Sequence, residues 1–162
     1  LKSKAAFSFV RSNEAGYCPI CGEALIIRGE RQRKLITGIG NKVTLVIRRL
    51  KCEKCKRIHH ELPDCIVPYK RHCAETIEAI VSGKPDGFPC GEALMRRIAK
   101  WWKVVSEYYL NILKSLAEKY QITFCEPPQF KELVRAAANT NNWISPKTIC
   151  TRTELKNRRR AC

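Results

Sequence analysis

Two short cysteine turns constrain this chain of 162 residues more than any other feature. Cys18-Pro19-Ile20-Cys21-Gly22 and Cys52-Glu53-Lys54-Cys55 stand 30 residues apart. A C-x-x-C turn brings two thiolates to one ion, and the backbone N–H groups of the turn can donate to the sulfurs. Gly22 supplies the positive φ that such a turn often takes. Two turns give the four thiolates of a closed structural site. Cys18, Cys21, Cys52 and Cys55 are therefore the expected ligands, and Zn2+ is the expected metal.

An iron site of the rubredoxin kind and two redox pairs are the rival readings of these turns. Rubredoxins are small and acidic, whereas cations crowd the second turn here. No strand-to-helix pattern of the thioredoxin kind accompanies either pair. Cys65, Cys73, Cys90, Cys125, Cys150 and Cys162 form no C-x-x-C pair and read as buried or free thiols. The alternatives are a second metal site from Cys65, His72, Cys73 and Cys90, or His59 or His60 in place of one thiolate.

Between the turns the sequence reads as strands. Leu25-Ile26-Ile27 and Arg33 to Thr37 are extended, Gly38-Ile39-Gly40-Asn41 is a turn signal, and Lys42 to Leu50 is rich in β-branched residues. Turn, strands and turn around one metal is the layout of a zinc ribbon, whose small core leaves much of its folding energy to the metal. Beyond a connector bracketed by Pro63 and Pro68, the spacing predicts a short helix over 76–81 and a loop over 84–89. Residues 92–120 contain no Gly or Pro and carry apolar residues at steps of three and four, which predicts one long helix or two in series. A further short helix follows over 130–138. The expected class is α+β: a ribbon of short antiparallel strands over 1–62, a helical region over 63–145, and a basic flexible tail over 146–162 that includes Arg158-Arg159-Arg160. The apolar stripe over 94–116 is core or a homodimer interface, and Trp101 and Trp102 are packing anchors.

The formal net charge is +16. It divides as +10 over residues 1–73, zero over 74–126 and +6 over 127–162. Clustered positive charge of this size is the electrostatic footprint of a nucleic-acid binder. The expected contacts are Lys42, Arg48, Arg49, Lys51, Lys54, Lys56 and Arg57 on the ribbon, with Arg96, Arg97 and Lys100 on the long helix. The same charges also suit a solvated surface that keeps a strand edge from aggregating. No apolar run approaches a membrane span, and Ala5 to Val10 is too short for a signal-peptide core. The expected setting is therefore cytoplasmic, without a membrane partner. The sequence opens on Leu1 rather than Met, as a piece of a longer chain would.

Cys-Pro-x-Cys-Gly at 18–22, the basic strand leading into Cys52-x-x-Cys55, and Leu62-Pro63-Asp64-Cys65-Ile66-Val67-Pro68-Tyr69-Lys70-Arg71 resemble a bacterial family of uncharacterised zinc-ribbon proteins. Its ribbons occur in, or are encoded beside, transposases of mobile elements. The resemblance spans roughly residues 16–145, and the connector is its most specific part. It implies a zinc-dependent DNA-binding role in transposition or its regulation, with a transposase as a partner. It also implies that the helix over 92–102 reads DNA in a helix-turn-helix. The sequence departs there, with Ala93-Leu94-Met95-Arg96-Arg97 where the family pattern is Ser-Thr-Ile-Arg-Arg. Two hydroxyls that could contact phosphate or bases are missing.

No catalytic constellation stands out. The acids are scattered rather than set as the metal-binding carboxylates of a nuclease, and neither a P-loop nor a G-x-S-x-G motif is present. The expected protein is thus not an enzyme but a DNA-binding accessory or regulator. The other classes are an RNA-binding ribbon, stacking bases on Tyr17, Tyr69 or Trp143, and a zinc-stabilised module that binds a protein.

Overall fold

The computed structural model describes residues 7–12, 15–139, 143–144 and 148–150. Strands β1 (Phe7–Ser12), β2 (Leu25–Ile36), β3 (Lys42–Cys52) and β4 (Ile58–Glu61) come first. Helices α1 (Ala74–Val81), α2 (Glu92–Tyr120) and α3 (Phe130–Asn139) follow, then β5 (Trp143–Ile144) and β6 (Thr148–Cys150). The class is α+β, as the sequence predicts. The tail residues Arg158-Arg159-Arg160 and Cys162 lie outside the described residues.

All six strands join one sheet organised around β3. β2 pairs antiparallel along one edge of β3. The other edge is shared by β1, parallel over Thr44 to Ile47, and β4, antiparallel over Arg49 to Lys51. The two extended segments expected on either side of residues 28–32 merge into one 12-residue strand with an irregularity between Ile27 and Gly29. β1 and β4 were not foreseen. Thr148–Cys150, expected in a flexible tail, pairs with β1.

The β2–β3 turn closes where the glycines predict. Thr37 N–H donates to Asn41 O at 2.9 Å and Gly40 N–H to Thr37 O at 2.9 Å. Gly40 has φ +82°, and a Cβ there would sit 3.0 Å from the Pro89 ring. The loop between α1 and α2 thus packs on the hairpin tip.

Alternation along β3 gives the sheet two faces. Val43, Leu45 and Ile47 point to one of them. With Val10 and Leu35 they pack on Leu62, Cys65, Ile66, Cys73 and Ala138. The helices form a second layer. Ile77 and Ile80 of α1, Ile98 of α2, and Phe130 and Val134 of α3 share a core with Trp101 and Trp102. Leu113 meets Leu133 and Ala136 farther along α2. Within the stripe over 94–116, Ile98 and Leu113 are buried and most of the other apolar residues are half-buried against these helices, whereas Tyr108 is exposed.

α2 runs unbroken for 29 residues. Residues 82–91 separate it from α1. A helix-turn-helix joins its helices through a turn of about three or four residues, so α1 and α2 do not have that arrangement. α3 opens on half of a capping box, with Gln129 N–H donating to Glu132 Oε2 at 2.8 Å.

The opposite face of the sheet holds a buried ion pair. Glu61 is fully buried and receives Arg48 Nε at 2.7 Å and Nη2 at 2.6 Å. The same carboxylate accepts Ser12 N–H at 2.8 Å, and Arg48 Nη2 also donates to Ser12 O at 3.1 Å. Arg48 thus ties β1, β3 and β4 together. Its hydrogen bonds to Glu61 hold its pKa above the ordinary arginine value.

Removing one member of a buried pair strands the other charge. Arg48→Ala is expected to destabilise the protein by about 3–5 kcal/mol. Arg49→Ala, one residue along and on the other face, is expected to change stability by less than about 1 kcal/mol. Urea denaturation of the metal-loaded protein checks both.

Candidate metal centre and basic face

The two cysteine turns meet at one end of the sheet. The first leads into β2 and the second links β3 to β4. Each is a closed knuckle. Gly22 N–H donates to Cys18 O at 2.8 Å and Cys18 N–H to Glu23 O at 2.8 Å. Across the site, Cys52 N–H donates to Arg57 O at 2.9 Å. The residue after each second cysteine is left-handed: Gly22 at φ +74° and Lys56 at φ +61°. Glycine takes that conformation freely, whereas Lys56 is strained there.

All four Sγ atoms lie within 4.8 Å of one another. Cys18 and Cys55 are 3.6 Å apart, and Cys21 and Cys52 are 3.4 Å apart. A tetrahedron of about 2.3 Å metal–sulfur bonds places its sulfurs about 3.8 Å apart, so the four thiols fit one ion. Cys55 N–H points at Cys52 Sγ at 3.4 Å and pulls that thiol down to about 7. Cys21 receives the Glu23 N–H, but burial and the neighbouring sulfurs outweigh it and push this thiol up to about 11. Four thiols this close do not all ionise without a cation among them. The cluster can therefore hold a metal ion.

His59 stands behind the cluster, fully buried, with Nε2 3.5 Å from Cys18 Sγ. Burial, and then the charge of Arg57, keep this imidazole below its ordinary pKa. The imidazole and the Cys18 sulfur share one hydrogen bond, whose direction follows the ring's tautomer. The four thiols are the candidate ligand set, and His59 lies beside one of them and outside the cluster. Cys65, His72, Cys73 and Cys90 form no second cluster among the described residues. Cys65 and Cys73 sit in the core, and Cys73 Sγ lies 3.2 Å from Thr76 Oγ1.

The ten cations singled out in the sequence separate by environment. Arg48 is spent on Glu61, so it drops out as a contact residue. Lys51 and Lys56 both pair with Glu53 at 3.0 Å. Lys42, Lys54, Arg57, Arg96, Arg97 and Lys100 are exposed, and Arg49 is half-buried; none of these enters an ion pair among the described residues.

Register brings other cations beside Arg49 that the sequence reading passed over. Arg31 lies across from Ile47, Arg33 from Leu45, and His60 from Arg49, so all share the core-facing side of the sheet. Arg31 Nη1 is 3.3 Å from His60 Nε2. Burial, then the like charge of Arg31, lowers Arg33, with Arg71 adding to the effect. Burial, then Arg31 and Arg49, lowers His60. Burial and Arg97 together lower Lys70 and His72. Arg97 thus extends the same positive field onto α2. The period of two in Arg31-x-Arg33-x-Leu35 is the signal that places these arginines on the face of Leu35.

Replacing both Cys18 and Cys52 with Ser is expected to abolish metal binding and unfold the ribbon, read by metal content and far-UV circular dichroism. The knuckle geometry makes a finer prediction. Gly22→Ala should cost about 1–2 kcal/mol by forcing an alanine into the left-handed region. Lys56→Gly should gain a few tenths up to about 1 kcal/mol by relieving the same strain. Thermal melting with the metal bound checks the opposite signs.

No curated protein matches this chain, and no solved structure matches it. A family model described as a domain of unknown function (DUF6431) matches residues 18–101. That stretch holds both knuckles, the hairpin, the connector, α1 and the first turns of α2. The chain belongs to the DUF6431 family.

Proposed function

We propose that this chain is a zinc-dependent DNA-binding protein that serves as an accessory or regulator of a bacterial mobile element. Zinc is the default metal for a closed set of four thiolates. It holds the hairpin in register and makes the N-terminal half a zinc ribbon. The observation that carries DNA binding is the convergence of Arg31, Arg33 and Arg49 on one face of the sheet, with Arg71 within electrostatic reach of Arg33. Arg97 lies alongside on α2, and Lys54 and Arg57 stand at the second knuckle. Like charges held this close are stabilised by a polyanion, and a phosphate backbone supplies one. The mobile-element setting and a transposase partner come from the resemblance carried by residues 62–71. The role is binding in the cytoplasm and assigns no catalytic step. A homodimer through α2 would use its outer side, where Val104 and Tyr108 are exposed.

One observation favours a second reading, a zinc-stabilised module for a protein partner. Tyr17, Ile20, Ile26 and Ile27 are exposed around the metal end. Apolar side chains grouped on a rigid knuckle suit a protein surface.

Selection of zinc-loaded protein against random duplex DNA, with an RNA pool in parallel, separates the classes. A duplex consensus supports a DNA regulator, an RNA consensus replaces it with the RNA-binding class, and no consensus in either pool favours the protein module. Affinity for a recovered duplex should fall steeply with salt. Arg31→Ala and Arg49→Ala should each reduce the log–log salt slope by about 0.9 for every phosphate contact removed. Unchanged slopes would move the contact surface elsewhere.

A further inference from the structure

The connector between the sheet and the helices carries a strained aromatic residue. Val67-Pro68-Tyr69-Lys70 is a tight turn closed by Lys70 N–H donating to Val67 O at 3.1 Å. Tyr69 has φ +64° at its third position. Pro followed by a positive φ is the type II pattern, whose third residue is ordinarily Gly or Asn. A bulky side chain in that conformation is an outlier.

Tyr69 is 74% exposed, with Arg33 and Tyr109 within electrostatic reach of its phenol. The backbone around it is fixed from both sides. Arg33 Nη2 donates to Lys70 O at 3.4 Å, and Ile36 N–H donates to Arg71 O at 2.7 Å. Lys70 Nζ lies 3.9 Å from the centre of the Trp101 ring. The turn therefore holds an aromatic ring out in water at a set place, with Arg71 two residues on and Arg33 within electrostatic reach. Strain of this kind, held by its surroundings, gathers at functional positions.

We propose that Tyr69 is a base-stacking residue that receives an unpaired or unstacked DNA base, while Arg33, Arg71 and Arg31 hold the flanking phosphates. This rests on the DNA-binding reading and adds to it a preference for DNA that is bulged, opened or single-stranded. Aromatic rings beside a cationic groove hold single bases in this way, and stacking does not depend on base identity. An exposed ring at the apex of a rigid turn is also the form of a wedge that opens a base step.

The test uses the full zinc-loaded chain and one sequence in four forms: intact duplex, duplex with a single bulged 2-aminopurine, single-stranded DNA and single-stranded RNA. The wild-type protein is expected to bind the bulged and single-stranded DNA more tightly than the duplex and to quench the 2-aminopurine. Tyr69→Gly is expected to lose about tenfold or more on those two DNAs and less than twofold on the duplex, with the quenching abolished. Tyr69→Phe should keep both. Tyr69→Gly should also melt no lower than wild type, because glycine relieves the turn, so lost binding would not reflect lost folding. Wild-type affinity and quenching in Tyr69→Gly would overturn the proposal and leave DNA binding standing. A Tyr69 effect confined to RNA would overturn it as a DNA site. Failure of the wild-type protein to bind any of the DNAs would sink the DNA reading itself, before any variant is compared.

Discussion

The convergence of four sulfurs at one end of a two-stranded hairpin is the constraint on which the rest depends. β2 and β3 pair over eleven registered positions, yet a hairpin alone is marginal in water. Its open end is where the strands would fray. The knuckles close that end: one precedes β2, the other follows β3, and four thiols within 4.8 Å join them. A bound metal would lock the register, and register decides which side chains reach which face. The placement of Arg31, Arg33 and Arg49 on one face and of Arg48 on the other therefore depends on the metal end.

The two faces do different work. One side of β3 carries Arg48 to the buried Glu61 and joins three strands through a single carboxylate. The other side is core at Leu45 and Ile47 of β3, with Arg33 and Arg31 across from them on β2 and Arg49 next along β3 toward the metal end. Adjacent arginines thus have opposite roles. Arg48 is structural, whereas Arg49 belongs to the proposed binding face. The connector residues 62–72 lie between sheet and helices, burying Leu62 and Ile66 while presenting Tyr69 and Arg71.

Much of this was legible in the sequence. The cysteine spacing marks the four clustered thiols, the glycines mark the hairpin turn, and the span without Gly or Pro marks α2 from Glu92 to Tyr120. β1 was hidden because its partner is a parallel stretch of β3 far along the chain, and parallel pairing leaves no local signal. β4 was hidden because Ile58-His59-His60-Glu61 is polar. Burial of His59 and Glu61 makes sense only once Cys18 and Arg48 are brought beside them. Arg48 read as a surface contact for the same reason, since its acid partner is remote in sequence. Pro68-Tyr69 does carry a turn signal, but the strain at Tyr69 becomes visible only with its φ angle.

The central claim is that a metal-clamped ribbon presents a DNA-binding face. The most direct test compares chelator-stripped and zinc-reconstituted protein for binding to the same duplex, at one salt concentration, with metal content measured on each sample. One zinc per chain is expected, with DNA binding that disappears with the metal and returns on reconstitution. Equal affinity of the stripped and reconstituted proteins for the duplex would contradict it.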